Sequence, residues 1–208
     1  GDFSNFTTSS PIQADDAIRA ALVAQQVNEI RHYGSLEDLL VFTSGEEWRL
    51  DSGDNNRFSA DTIRQKPQSR WGSSHRRPIT VGRAVIYVQD NDSTVRSIGY
   101  ELAVDGYTGT DLSLLANHLF RDYAITDWSY SRSPDPLIHV VRADGTVAAM
   151  TINQEQEVIA WTRGATRSPD KFEAVAVVRP SFAVPDEAAY FVVKRSIGGN
   201  TARYIERM

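Results

Sequence analysis

Residues 137–146 read Leu-Ile-His-Val-Val-Arg-Ala-Asp-Gly-Thr, an apolar run that ends in a tight polar turn. An alternating run follows, and Asp144-Gly145 between two apolar runs predicts a type I′ β-hairpin because both residues tolerate positive φ. The layout recurs, with apolar runs at residues 39–42, 84–87 and 189–193 and turns at 44–47, 90–93 and 197–200. The units lie roughly 45 to 53 residues apart, a period that predicts stacked or radially arranged β-meanders.

This repetition predicts the fold class. We expect a mainly β protein of repeated antiparallel β-meanders, β-propeller-like with about four blade-like units and one short inserted helix. No Pro/Gly-rich linker divides residues 1–208, so we treat them as a single domain. The chain begins without Met and its fourth unit ends at Met208 without a fourth strand, so we expect a fragment of a longer protein.

The alternation of apolar and polar residues predicts the strands of each unit. The first unit is predicted at residues 27–31, 36–42, 48–50 and 62–65, and the second at 78–81, 83–88 and 94–102. The third unit is predicted at 125–130, 137–142, 146–152 and 157–161, and the fourth at 172–178, 188–196 and 201–205. The third unit is the most complete four-stranded candidate.

Two segments carry helix signals. Asp111 can cap a helix that we expect to pack on the edge of the sheets. Its apolar face consists of Leu112, Leu115, Leu119 and Phe120. Asp15 and Asp16 can cap a helix, and the residues that follow them are rich in helix formers. This favours a helix over residues 16–26. Ile18, Ala20, Leu22 and Ala24 also alternate with their neighbours, so a strand is the open alternative there.

The composition excludes several kinds of site. There is no cysteine, so disulfides, zinc–thiolate sites and cysteine nucleophiles are excluded. The formal charge of −5 argues against a protein that holds nucleic acid by neutralising phosphates. No stretch approaches the roughly 18 apolar residues of a membrane-spanning segment. The basic cluster at residues 70–77 is interpreted as a solvated loop, with phosphate or partner contact as the alternative.

The sequence contains no motif for catalysis or metal binding. The histidines, His32, His75, His118 and His139, lack metal-ligand spacing, and His139 is interpreted as an ordinary strand residue. Residues 72–75 lack the strained elbow of a serine nucleophile and are interpreted as a polar loop. Residues 90–101 lack the glycine of a calcium loop and are interpreted as a hairpin. We therefore predict no catalytic, cofactor-binding or metal-binding residue.

Paired acids and tryptophans leave glycan binding or hydrolysis as an alternative. Some glycosidases are propellers that need only two carboxyl groups across a cleft. Five acids lie near unit junctions: Asp105, Asp111, Asp122, Asp127 and Asp135. Nothing in the sequence marks two of them as opposed. Three tryptophans lie in predicted strands and are interpreted as core, namely Trp48, Trp128 and Trp161, whereas Trp71 lies in a loop beside arginines.

Several segments together resemble the central part of a phage protein family. They include Glu-Trp-Arg-Leu at 47–50, Val-Arg-Ala-Asp-Gly-Thr at 141–146 and Glu-Gln-Glu-Val-Ile-Ala-Trp at 155–161. The others lie at residues 1–6, 15–18, 26–30, 38–45, 77–78, 81–82, 85, 105–107, 111–116 and 204–207. The family comprises the tail nozzle proteins of short-tailed phages and prophages, also called tail tubular or packaged-DNA stabilisation proteins. Its members are much longer than this chain.

The resemblance implies a virion structural protein with propeller-like β architecture and no catalytic motif. It implies self-association in a ring below the portal and adaptor, contact with other tail proteins, and location in the virion tail. DNA would pass through the ring without sequence-specific binding, and the acidic balance fits such a conduit because like charge lets a duplex slide. We expect no enzyme activity and no cofactor. The alternative is a β-propeller that binds or hydrolyses a glycan at a host surface.

Overall fold

The computed structural model describes residues 6–24, 26–53, 58–153, 156, 158–181 and 186–208. These residues form fifteen strands in four antiparallel sheets, with one short α-helix. The predicted fold class is confirmed: four blade-like units lie in a propeller-like arrangement that is not closed. Of the positions that carry the resemblance, residues 1–5, 155 and 157 lie outside the described residues, and so does the first residue of the strand predicted at 157–161.

Each sheet pairs its strands in chain order, so each unit is an up-and-down meander. Unit 1 contains β1 (Ile30–Ser35), β2 (Leu39–Thr43), β3 (Glu47–Asp51) and β4 (Arg64–Ser69). Unit 2 contains β5 (Ile79–Val81), β6 (Ala84–Val88), β7 (Val95–Glu101) and β8 (Gly106–Asp111). Unit 3 contains β9 (Ile125–Ser131), β10 (Leu137–Arg142), β11 (Val147–Asn153) and β12 (Val158–Gly164). Unit 4 contains β13 (Lys171–Val178), β14 (Ala188–Ile197) and β15 (Asn200–Arg207), so its sheet has three strands, as predicted.

Burial on both faces of the sheets explains the nearly continuous apolar runs. In β2, Leu40 and Phe42 pack toward unit 2, whereas Val41 belongs to a cluster on the opposite face. In β10, Val140 packs toward unit 2 and Val141 toward unit 4. Successive side chains of a strand point to opposite faces. A strand whose sheet is covered on both faces, by two other sheets for β10 or by unit 2 and residues 22–24 for β2, therefore needs apolar residues at successive positions.

Three apolar clusters join consecutive units. Units 1 and 2 share Leu40, Phe42, Val85, Tyr87, Ile98 and Tyr107. Units 2 and 3, with the segment that connects them, share Val81, Ile86, Val88, Val95, Leu112, Ala116, Leu119, Phe120, Ile125, Trp128, Ile138, Val140, Ala148, Met150 and Ile152. Units 3 and 4 share Val141, Val147, Val175, Ala189, Phe191 and Val193. The core is therefore distributed between sheets.

The connection between units 1 and 2 is bonded to both sheets. Ser73 N donates to the Thr43 carbonyl of unit 1 at 2.8 Å, and Ser74 N donates to the Val88 carbonyl of unit 2 at 2.8 Å. Gly72 has a φ of +69°, and a Cβ there would lie 2.2 Å from a backbone oxygen of unit 1. Only glycine fits this close approach. Within the polar loop predicted at residues 72–75, Gly72, Ser73 and Ser74 are therefore buried as a structural connector, and His75 is exposed.

The helix predicted over residues 111–120 is shorter than expected. A 3₁₀ turn over Leu114–Ala116 leads into α1 (Asn117–Phe120). Asp111 ends β8, and its Oδ1 accepts a hydrogen bond from Ser113 N at 2.8 Å. The acid therefore closes the turn after the strand and does not cap α1.

The apolar face of this segment also differs from the prediction. Leu119 and Phe120 are buried, but Leu115 is 96% exposed. A 3₁₀ turn has three residues per turn, which places Leu115 on a different side from the residues of α1. The segment packs in the cluster between units 2 and 3, so its predicted place on the edge of the sheets is wrong.

Residues 17–24 form neither helix nor strand, so the preference for a helix is wrong. Ile18, Ala20 and Leu22 all line one apolar groove on unit 1. A spacing of two residues on one side is the geometry of an extended backbone, since a helix would place these residues around its circumference. Packing on unit 1 therefore overrides the local helix propensity.

The sequence did not predict β8. This strand contains Gly106 and Gly109, and Tyr107 is its one buried side chain. It follows a 3₁₀ turn at Leu102–Val104 and forms the outer edge of unit 2. An exposed edge strand needs little apolar alternation, so the signal that marks the other strands is weak here.

The type I′ turn occurs at a different hairpin from the predicted one. At residues 143–145 only Gly145 has a positive φ, of 83°, and Arg142 N donates to Thr146 O at 3.0 Å. A turn followed by one left-handed glycine is the usual three-residue hairpin loop. Gly198 and Gly199 instead have φ of 57° and 82°, the two positive values that a type I′ turn requires.

Candidate functional site

A polar groove of about 740 Å³ lies along the first strands of units 2, 3 and 4. One wall comes from the connector before β5 and from β5, and the other from β9 and the adjoining Arg132, with β13 and Glu187, the residue before β14, contributing at one end. The lining consists of His75, Arg76, Arg77, Pro78, Ile79, Thr80, Asp127, Trp128, Ser129, Tyr130, Arg132, Val177 and Glu187. The groove thus brings together segments that are far apart in sequence.

Side chains of β9 join units 3 and 4 beside the groove. Asp127 Oδ2 accepts a hydrogen bond from Val175 N at 2.8 Å, and Ser129 Oγ accepts one from Val177 N at 3.0 Å. These bonds connect β9 to the backbone of β13, which pairs in its own sheet only with β14. Side chains of β9 therefore hold β9 and β13, the first strands of units 3 and 4, next to each other.

Trp128 fixes the basic wall of the groove. Its Nε1 donates to the Arg77 carbonyl at 2.9 Å, and its ring belongs to the cluster between units 2 and 3. This bond anchors the backbone of Arg77 to β9. The adjacent Arg76 and His75 are thereby positioned at the same rim.

Tyr130, Arg132 and Glu187 converge at the opposite rim. Burial raises the pKa of Tyr130, the Arg132 charge lowers it and the Glu187 charge raises it, so the phenol lies near both charges. Arg132 N donates to Glu187 Oε2 at 2.6 Å, and Glu187 N donates to the Ser133 carbonyl at 3.0 Å. Glu187 is thus held in place by backbone groups.

The charges of the groove are not paired with one another. Within the described part of the chain, Arg76, Arg77 and Arg132 have no ion-pair partner. Asp127 uses its oxygens to accept from Trp128 N, at 2.9 Å, and from β13. Three guanidinium groups therefore remain available to an anion beside two acids that can still accept hydrogen bonds.

A second polar cluster is buried between units 1 and 2. Glu47 is fully buried, and its Oε2 accepts hydrogen bonds from Ser69 Oγ and from Trp71 N. Burial raises the pKa of the Glu47 carboxyl, against the lowering effect of these bonds and of the Arg96 charge. The Arg96 guanidinium stacks 3.9 Å above the Trp71 ring centre. Because Glu47 is fully buried and is bonded to Ser69 and to the backbone of Trp71, we interpret the cluster as structural.

The two ends of the array have apolar surfaces that no other sheet formed by the described residues covers. On the outer face of unit 1, residues 18–22 only partly cover an apolar groove of about 290 Å³, and Tyr33 on its rim is 64% exposed. At the other end, Ile205 of β15 is 77% exposed beside Val192 of β14. The outer edge of β15 has no paired strand among the described residues.

The structure separates most of the acids considered for catalysis. Asp105 Oδ1 accepts from the Tyr100 hydroxyl at 2.8 Å, Asp111 bonds Ser113, and Asp122 lies 3.9 Å from Arg121. Of the five acids considered, Asp127 alone lines the groove, and Asp135 does not. The second groove acid, Glu187, was not predicted. No local pattern marks it, because its position depends on the pairing of units 3 and 4.

The remaining candidates, His139 and the three tryptophans of predicted strands, pack within the protein. Burial lowers the pKa of His139, which packs edge-to-face on Phe191, as expected of an ordinary strand histidine. Trp48 and Trp128 are buried, and Trp161 donates from Nε1 to the Leu112 carbonyl at 2.8 Å, so their assignment to the core is confirmed.

The basic cluster at residues 70–77 divides into two parts. Arg70 Nε lies 3.6 Å from Glu46 Oε1 on unit 1, and Trp71 is half-exposed beneath Arg96. The part at residues 75–77 lines the groove. No sequence pattern predicts Arg132 opposite this part, since that arginine follows more than fifty residues later.

The described residues contain neither a metal-binding cluster nor a membrane-spanning helix. No group of three or more His, Asp and Glu side chains there could hold a metal ion. No helix in that part of the chain is long and apolar enough to cross a membrane.

The fold and groove define an open array of four blade-like β-sheets with a mixed-charge groove along its first strands. No protein-family model matches the sequence, and no curated protein matches it. The resemblance to phage tail nozzle proteins therefore stays a prediction.

Proposed function

We propose that this chain is a non-catalytic structural part of a phage or prophage tail. It would belong to a nozzle, or tail tubular, protein that forms a ring-shaped DNA conduit below the portal and adaptor. Its partners would be further copies of the same protein, the portal and adaptor, and other tail proteins. The site of action would be the virion tail.

The two uncovered ends of the array carry this proposal. Sheet faces inside the array are covered by neighbouring sheets, whereas Tyr33 on unit 1 and Ile205 on unit 4 present apolar surface outward. Exposed apolar faces and an unpaired strand edge favour contact with other protein surfaces. A scaffold of stacked units with such ends suits a component of a larger assembly.

The charge balance supports passage of DNA without tight binding. The formal charge is −5, whereas firm binding of a duplex requires many Lys and Arg contacts to phosphates. An acidic wall repels the duplex and lets it move.

Hydrolysis of a glycan is less well supported by the groove. A glycosidase needs one carboxyl group free to donate a proton and another free to act as base or nucleophile. Asp127 already accepts two backbone hydrogen bonds, and Glu187 accepts one from Arg132 N. These bonds occupy oxygens of both acids and hold them to the scaffold, which is a poor arrangement for a proton donor.

The test is to purify phage particles from the bacterium that encodes this chain. Mass spectrometry of the particles and antibody labelling under the electron microscope should place the chain at the tail. Deletion of its gene should leave heads that lose packaged DNA or particles that lack the end of the tail. Complete, infectious particles without this chain would contradict the proposal, and so would release of reducing sugar ends by the purified protein.

A further inference from the structure

The polar groove contains a combination of groups that a purely structural role leaves unused. Arg76 and Arg77 lie on one side and Arg132 on the other, and none is neutralised by an ion pair within the described residues. The Nε of Arg76 is buried and has no hydrogen-bond partner among the described residues. Asp127 and Glu187 line the same space.

We propose that this groove binds a carboxylate-bearing sugar unit of an acidic polysaccharide. The arginines would bind the sugar carboxylate, and the two acids would accept hydrogen bonds from sugar hydroxyl groups. Binding here goes beyond the assembly role and does not depend on it.

The arginines specify the anionic part of the ligand. A guanidinium group presents paired N–H donors that match a carboxylate, and such charge-assisted bonds are the strongest hydrogen bonds in proteins. Arg77 is anchored through its carbonyl to Trp128, and Arg132 through its N–H to Glu187. Both arginines therefore extend from fixed backbone positions, which reduces the entropy lost on binding.

The acids and hydroxyls specify the rest of the ligand. Asp127 and Glu187 can only accept hydrogen bonds when ionised, so the ligand must bring donors. Thr80 and Tyr130 add hydroxyls that can both donate and accept. A ring that carries several hydroxyl groups satisfies all of these, and the volume of about 740 Å³ is in the usual range for small-ligand sites.

The same acids disfavour nucleic acid. A chain of phosphates offers acceptors and repeated negative charge, and it would meet Asp127 and Glu187 as well as the arginines. Each carboxylate would repel a phosphate at short range. A sugar unit with one carboxylate and several hydroxyls meets both kinds of group favourably.

An acidic peptide is also less suitable. Arginine clusters do recognise acidic peptide motifs, but such a motif brings a run of carboxylates, which Asp127 and Glu187 would repel as they would repel phosphates. Of the apolar side chains that line the groove, Trp128 is only 8% exposed and donates its N–H to the protein, and Ile79 and Val177 pack partly into the neighbouring apolar clusters. The wall therefore offers polar groups in place of an apolar anchor.

The experiment is calorimetric titration of the purified chain with tetragalacturonate at low salt. We expect binding, and binding at least tenfold weaker for the methyl-esterified tetramer, which has the same sugars without the charge. The double variant Arg76→Gln/Arg77→Gln and the single variant Arg132→Gln should each lose about tenfold in affinity, as expected for a hydrogen bond to a charged group. Arg207→Gln, an exposed arginine on unit 4, is the matched control and should stay within twofold of the unchanged protein. Circular dichroism melting of each variant checks that the fold is retained.

Two further measurements separate sugar recognition from simple charge attraction. Glu187→Gln should weaken binding of tetragalacturonate if the acid accepts from hydroxyls, whereas it would strengthen binding if the groove only attracts anions. Tetraglutamate, inorganic phosphate and a short DNA duplex should bind at least tenfold more weakly than the sugar. Equal binding of any of these, stronger binding by Glu187→Gln, no binding of tetragalacturonate, or unchanged affinity in the groove variants would overturn the proposal. Presence of the chain in phage tails is a separate measurement, so either proposal can fail alone.

Discussion

The interface between units 1 and 2 and the interface between units 2 and 3 join similar sheets in different ways. Between units 2 and 3, fifteen buried apolar residues form one cluster, to which α1 contributes. Between units 1 and 2 the corresponding cluster has six, and the buried charges of Glu47 and Arg96 lie beside it. Ordinary Leu, Val and Ile packing dominates the first case, and aromatic rings with charged groups dominate the second.

The difference follows from the connecting segments. The connection into unit 3 includes α1, whose Leu119 and Phe120 fill the space between the sheets. The connection into unit 2 is an extended strip bonded to both sheets through Ser73 and Ser74, and it brings no large apolar side chain into the cluster. Longer side chains of the strands, such as Arg96, fill that space instead. One repeat can thus use two kinds of core.

The largest expected effect tests the apolar interface. Phe120 is fully buried and packs edge-to-face on Trp161, with ring centres 4.7 Å apart. Phe120→Ala should lower the free energy of unfolding by about 3–5 kcal/mol, since it removes buried surface and leaves a cavity. Urea denaturation followed by circular dichroism measures this. Leu115→Ala, in the same segment but exposed, should change stability by less than about 0.5 kcal/mol, and equal losses in the two variants would show that α1 does not support the interface.

A smaller effect tests the polar interface. Arg96→Met keeps a long side chain over Trp71 but removes the positive charge near Glu47. The buried carboxylate then loses a favourable charge, and we expect a loss of about 1–3 kcal/mol near neutral pH. Arg83→Met, at an exposed turn of unit 2, should be nearly neutral. If Arg96→Met is neutral as well, the charge of Arg96 contributes nothing and the interface is held by its rings alone.

The pH dependence of stability gives the finest test. Burial raises the pKa of Glu47 in the folded protein, so the folded state binds this proton more tightly than the unfolded state. Its contribution to stability is fully present below the ordinary pKa of glutamate and is lost as the pH rises through the raised value. Glu47→Gln should remove this loss, so the stability difference between the variant and the unchanged protein should shift in favour of the variant with rising pH. Urea denaturation at a series of pH values measures it, and a difference independent of pH would contradict the raised pKa.

The strands that the sequence predicts well are those buried on both faces. The runs at 84–87 and 137–141 have apolar residues at nearly every position because sheets lie on either side, and both fall in strands. β8 was missed because it is an exposed edge with two glycines. Local composition also failed at residues 17–24, where contact with unit 1 decides the conformation. The pattern of apolar residues along a segment therefore depends more on what will cover the strand than on the strand conformation itself.

The groove could be predicted only in part. The sequence shows the basic run at 75–77 and Asp127, but no pattern in it indicates that they lie together. Their proximity depends on Trp128 reaching the Arg77 carbonyl, and Glu187 arrives only through the packing of unit 4 on unit 3. These contacts join residues fifty or more positions apart, and no local pattern encodes them.

The connector between units 1 and 2 has a mechanical consequence. Its Ser73 N–H is hydrogen-bonded to the sheet of unit 1, and its Ser74 N–H to the sheet of unit 2. A force that pulls the first two sheets apart is therefore shared between the covalent chain and lateral hydrogen bonds, with the close fit at Gly72 resisting any twist of the connector. We therefore expect the junction between units 1 and 2 to be stiffer than one made by a flexible linker.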